Sequence, residues 1–163
     1  MNLVRAAVIL SFFLTLQLLT ACGGPAAPNS ANNPANSNST ASNSAKTNVE
    51  ELGVRLNMPY EAEDVVWKDF PEQEKVVAVL RFSPADANKL VENAEKIRKP
   101  NAVTLGSETW FPPELIAQSD VSGNNTLKGT SYAANEFFQQ PYNEGQITRI
   151  EGSDYFVLEV SAK

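Results

Sequence analysis

Lys75-Val76-Val77-Ala78-Val79-Leu80-Arg81-Phe82, followed directly by Ser83-Pro84-Ala85-Asp86, decides the fold class. The first eight residues are rich in β-branched side chains and almost continuously apolar. Such a run suits a strand covered on both faces better than an edge strand. The next four residues open a helix: the Ser83 hydroxyl can cap it, Pro84 fits its first position, and Asp86 sits where the dipole favours an acid. Ala87, Leu90, Val91, Ala94 and Ile97 then recur at helical spacing and form one apolar stripe. Lys99-Pro100 ends the helix, with Lys96 and Arg98 well placed at its negative pole. A buried strand leading into an amphipathic helix, about residues 84–98, forms the nucleus of the domain.

Working outward, Glu61 to Asp64 is acidic and exposed, and Val65-Val66-Trp67 forms a short strand. Toward the C-terminus, Gln146 to Glu151 and Tyr155 to Val160 flank Gly152-Ser153, a pair suited to a type II′ hairpin turn. Phe156, Leu158 and Val160 then share one face. Between these lie a short helix over Pro113 to Gln118, a polar loop over Ser119 to Asn125, and a second short helix over Ala133 to Gln139. The order predicts an α+β domain spanning residues 49–163: a small, mostly antiparallel sheet, one long helix, one or two short helices, and a C-terminal β-hairpin.

The N-terminus has a different character. Met1 to Arg5 is a short basic region, and Ala6 to Leu19 is an uncharged apolar run. As a helix that run covers about 21 Å, short of the roughly 30 Å hydrocarbon core, so a secretory h-region fits better than a membrane span. The run ends in Leu19-Thr20-Ala21-Cys22, which resembles the lipobox of bacterial lipoprotein precursors. The resemblance covers residues 1–22 only. It implies a cleaved signal peptide at 1–21, with the cut between Ala21 and Cys22. It also implies a diacylglycerol on the Cys22 sulfur and a new amine open to acylation. In that family an Asp after the cysteine retains the protein in the inner membrane; Gly23 stands here. The expected location is therefore the cell envelope, at an outer membrane and facing the periplasm where the organism has one.

Residues 23–48 contain no Val, Ile, Leu, Met or aromatic side chain. Nothing there offsets the entropy of ordering, so residues 22–48 read as a lipidated cysteine followed by a disordered tether. A chain of that length spans about 25–30 Å on average.

Absences narrow the chemistry. The chain has no histidine and a single cysteine. That excludes a Ser-His-Asp triad, a Cys-His pair, an imidazole metal site and an intramolecular disulfide. Gly129-Thr130-Ser131-Tyr132-Ala133 has the outline of a nucleophile elbow but lacks a histidine base, and no lysine has Ser three positions earlier. The net charge of -6 argues against nucleic acid as a partner. Asp120 to Asn125 alternates oxygens as calcium loops do, yet Ser131 occupies the position where a bidentate Glu is needed. No metal and no cofactor is expected beyond the lipid on Cys22. Two acids among Glu61, Glu63, Asp64, Asp69, Glu72 and Glu74 could in principle run glycoside hydrolysis, although a solvated acidic surface is the plainer reading.

Two aromatic-proline corners remain: Trp110-Phe111-Pro112-Pro113, and Phe137-Phe138 with Pro141-Tyr142. Such residues dominate either a core or an interface. Packing over the sheet is the plainer reading. If exposed, Trp110, Phe111, Phe137, Phe138 and Tyr142 form the candidate binding surface. The function expected is therefore a membrane-anchored envelope lipoprotein whose non-catalytic domain has a binding or structural role, its ligand unknown and an envelope protein or glycan its candidate partner. The alternatives are a small carboxylate-dependent hydrolase acting on envelope glycans and an ion- or small-ligand-binding module.

Overall fold

The computed structural model describes residues 44–163. Ala21, Cys22 and most of the expected tether lie outside the described residues. The elements are α1 (Val49–Arg55), β1 (Ala62–Phe70), β2 (Lys75–Phe82), α2 (Pro84–Ile97), β3 (Asn101–Gly106), α3 (Pro113–Ser122), β4 (Thr126–Ala133), β5 (Glu144–Ile150) and β6 (Tyr155–Ser161). The strands form one six-stranded antiparallel sheet in the order β1-β2-β6-β5-β4-β3. The fold is α+β and includes the C-terminal hairpin β5–β6.

β2 lies between β1 and β6, and Val76 to Leu80 are all buried. Its period of two separates two cores. Val76, Ala78, Leu80 and Phe82 join Trp67, Phe156, Leu158 and Ile147 under α1 and α2. Val77 and Val79 join Val157, Ile150 and Leu127 under α3 and the segment before it. Each large apolar side chain so buried contributes about 1.5–3 kcal/mol. Both faces of β2 therefore help hold the molecule together.

α2 begins where its sequence says. The Ser83 Oγ accepts the Asp86 backbone N–H at 3.1 Å and donates to Asp86 Oδ2 at 3.0 Å. Ala87, Leu90 and Ala94 are buried and Val91 is half-buried, but Ile97 at the last turn stands exposed.

Several boundaries differ from expectation. Lys46 to Asn48, expected to belong to a tether, are bonded to the domain. Lys46 pairs backbone-to-backbone with Trp67, the Trp67 indole N–H donates to the Asn48 carbonyl at 3.1 Å, and Asn48 caps α1. Buried Trp67 supplies the burial and hydrogen bonding that these residues lack by themselves. α3 continues through the expected polar loop to Ser122 and closes on Gly123 in the left-handed conformation. The Ser122 hydroxyl helps by turning back onto the Ser119 and Thr126 carbonyls.

The expected helix over Ala133 to Gln139 is instead the end of β4 and a single 3₁₀ turn, Asn135–Phe137. Tyr132 and Ala133 pair with Ile147 and Gln146, and that pairing overrides their helical propensity. In the hairpin, Gly152 carries φ +73 at the third position of the turn Ile150–Ser153, whose ends join through Ser153 N–H and the Ile150 carbonyl. A type II′ turn would need the positive φ one residue earlier, at Glu151.

The two sheet edges differ. β1 carries an irregularity between Ala62 and Asp64 and is bridged by Lys46. β3 is regular, uncharged and largely exposed.

Candidate functional site

The segment entering α3 positions the first aromatic corner. The Phe111 N–H donates to the Glu108 carbonyl, and Pro112 and Pro113 start the helix. Phe111 and Leu115 are thereby driven into the core beneath α3. Trp110 cannot follow; it stays half-buried, edge-to-face on Phe111 with centroids 4.8 Å apart at 85°. Lys68 Nζ on β1 stands 5.7 Å from the indole centroid, within cation–π range.

Trp110 and Phe111 form part of the walls of two clefts. The first, about 340 Å³, lies between the β1–β2 turn and the chain before α3. Phe70, Trp110 and Phe111 give it apolar walls; Gln73, Lys75, Glu108 and Glu159 give it a polar rim. Lys75 Nζ lies 2.8 Å from Glu159 Oε1, and Gln146 Nε2 donates to Glu159 Oε2 at 3.3 Å. Ser131 Oγ in turn donates to Gln146 Oε1 at 2.9 Å. The serine of the elbow-like motif is thus fully buried within a strand, as part of a hydrogen-bond chain. The second cleft, about 420 Å³, brings Asp64, Arg81, Glu114 and Tyr155 beside the same tryptophan. The Tyr155 hydroxyl donates to Asp64 Oδ2 at 3.2 Å. Burial, and then the Asp64 charge, push the phenol above its ordinary pKa.

The second aromatic corner lies elsewhere. Phe137 and Tyr142 are buried under α1 and α2, with Phe138 packed against them. Beside them the Tyr60 hydroxyl donates to Glu136 Oε2 at 2.7 Å, and Asn93 Nδ2 reaches Glu136 Oε1 and the Tyr60 oxygen. This corner fastens the loop after α1 to α2. Of the five candidate binding residues, Phe111, Phe137 and Tyr142 are buried, while Trp110 and Phe138 keep partial exposure. The structure does not bring the two corners into one surface.

The six acids are likewise not assembled. Glu63 faces Arg81, Asp64 takes the Tyr155 hydroxyl, and Asp69 pairs with Arg55 at 2.7 Å. Glu61, Glu72 and Glu74 are exposed, with Glu61 at one end of β1 and the other two beyond its far end. A nine-residue strand is about 30 Å long, whereas paired glycosidase acids lie roughly 5–9.5 Å apart. Among the described residues no cluster of three or more acids could hold a metal ion. Asp120 and Ser122, expected in a loop, are helical.

Sequence reasoning found Trp110 and missed its polar neighbours. Lys75 and Glu159 face one another only because β2 pairs with β6 across more than 80 intervening residues. No local pattern encodes that pairing. No protein-family model, curated protein or solved structure matches this chain.

Proposed function

We propose that this chain is a lipid-anchored envelope protein whose domain binds a carbohydrate-bearing envelope component in the cleft beside Trp110. The anchor rests on the lipobox-like Leu19 to Cys22. The observation that carries the ligand class is the half-exposed Trp110 ring, braced by Phe111 and facing the polar groups of Gln73, Lys75, Glu108 and Glu159. A sugar ring offers one apolar face for stacking and hydroxyls around its rim, which matches this division of the cleft. The volume lies at the small end of the usual ligand-site range, so one or two sugar units would fill it.

Two experiments test the reading. Cys22→Ser should release the protein from membranes and abolish lipid labelling; continued fractionation with lipid would refute the anchor. Trp110→Ala should weaken glycan binding about thirtyfold, the loss typical when an aromatic hot spot is truncated. Unchanged binding by a folded Trp110→Ala protein would refute the cleft.

A second reading, hydrolysis of the same glycan by two acids, draws on Glu108 and Glu159 lining one cleft. Against it, both Glu159 oxygens are already engaged by Lys75 and Gln146. Product formation from the bound glycan, lost in Glu159→Gln, would favour hydrolysis over binding alone.

A further inference from the structure

α2 covers β4 only at its Tyr132 end, where the Arg98 guanidinium donates to the Tyr132 carbonyl at 3.0 Å. Beyond that point, the face of β3, β4 and β5 on the α2 side of the sheet carries Ala102, Thr104, Lys128, Thr130 and Arg149. No large apolar side chain stands in this part of the face, so nothing there attracts a covering element. What remains is a groove of about 740 Å³, walled on one side by the hairpin turn Glu151 to Asp154.

Charges of both signs line this groove. Lys128 and Arg149 lie on its floor, Glu151 and Asp154 on its wall, and none of the four is in an ion pair. The Arg149 guanidinium lies 5.7 Å from the Phe156 ring centroid, within cation–π range. Thr130 pairs directly with Arg149, and Lys128 stands two residues along the same strand face. Diagonal neighbours of that kind are about 7–8 Å apart, so two long cationic side chains can close on one carboxylate. The backbone N–H of Glu151 donates to the Lys128 carbonyl at 2.9 Å, which fixes the acidic wall beside the cationic floor.

From this we infer that the groove is a second binding site, for a short peptide-like ligand carrying both a free carboxylate and a free ammonium group. The carboxylate is held by Arg149 and Lys128, with the Thr130 hydroxyl between them. The ammonium faces Asp154 and Glu151. A ligand of one sign alone would meet like charge on one side of the groove, whereas a zwitterion satisfies both. The site involves neither the lipid anchor nor the Trp110 cleft, so it stands or falls without the glycan reading.

The test is amide chemical-shift mapping of the full chain against alanine peptides of two to five residues. Each is supplied free, N-acetylated and C-amidated. Shifts should concentrate at residues 102–104, 128–130 and 149–154 for at least one length of free peptide. Blocking either terminus should weaken binding about tenfold, the loss of one charge-assisted contact. Arg149→Gln and Lys128→Gln should weaken the free peptide but make no further difference to the amidated one. Asp154→Asn should behave in the same way toward the acetylated one. Lys128 and Asp154 are exposed, so their variants keep the test readable if Arg149→Gln loosens the fold. Absence of shifts at those residues for every length would overturn the inference. So would equal affinity for free and blocked peptides, or substitutions that act alike on all three forms.

Discussion

Replacing a glycine by alanine should have opposite effects at two places in this domain. At Gly129 on β4, an added Cβ would lie 2.5 Å from the Arg149 carbonyl oxygen and 2.7 Å from Thr148 Cγ2. Ordinary non-bonded contacts begin near 3.5 Å, so the overlap is about 1 Å. The atom met first belongs to the backbone of β5, which is tied to β4 on one side and β6 on the other. It cannot rotate away as a side chain would; the strands must part. Overpacking of this kind costs about 1–3 kcal/mol, and the rigid neighbour places Gly129→Ala near the upper end. At Gly53 in α1 an added Cβ meets nothing within 4 Å. There the methyl only removes the entropic penalty of glycine in a helix, a gain of about 0.5–1 kcal/mol. Urea unfolding followed by the fluorescence of fully buried Trp67 would measure both. A Gly129→Ala protein within about half a kcal/mol of wild type would refute the register assigned to β4 and β5.

Ser83→Ala removes the cap of α2 and should cost about 1 kcal/mol in the same assay, while Ser83→Thr, which keeps the hydroxyl that both accepts from the Asp86 N–H and donates to its carboxylate, should recover most of it. Stability should also fall in alkali. Tyr60, Tyr132 and Tyr155 all have raised pKa values, chiefly through burial. Their contribution is intact below the unfolded value of about 10 and is lost as pH rises through the folded values, because the unfolded chain ionises first. Unfolding followed by tyrosinate absorbance should therefore begin above about pH 10, and Tyr60→Phe should flatten the decline; an unchanged slope would refute that assignment.

The parts of the fold legible in the sequence are those whose signals are local. α2 announces itself by a cap, a proline and a stripe within one stretch of chain. β2 and β6 do so by apolar runs, because both of their faces are buried. β3 and β4 gave no such signal. β3 is an exposed edge, and β4 interrupts its apolar positions with Lys128, Gly129 and Ser131 because one face is open and Gly129 must admit β5. β1 spans nine residues where the local pattern shows only Val65 to Trp67, since Glu63, Asp64, Lys68 and Asp69 flank that apolar run with charge. The same logic governs the sites. Trp110 stood out by type, but whether it lies in the core or in a cleft depends on the angle at which Pro112 and Pro113 launch α3. The cations and acids of the groove belong to β4, β5 and the hairpin, and only strand pairing makes them neighbours.

The bridge between Lys46 and Trp67 has a mechanical consequence. A pull on the chain from the N-terminal side reaches this bridge before any of the helices or strands. The two backbone hydrogen bonds there, at 2.8 and 2.9 Å, together with the indole bond to Asn48 and the Lys46 ammonium 4.6 Å from the indole centroid, carry that load ahead of the strands. The bridge lies on the outer edge of β1, four strands away from β4. Tension arriving there would strip one short segment, then α1 and then an edge strand, and the strands that carry the groove would still be paired when it did.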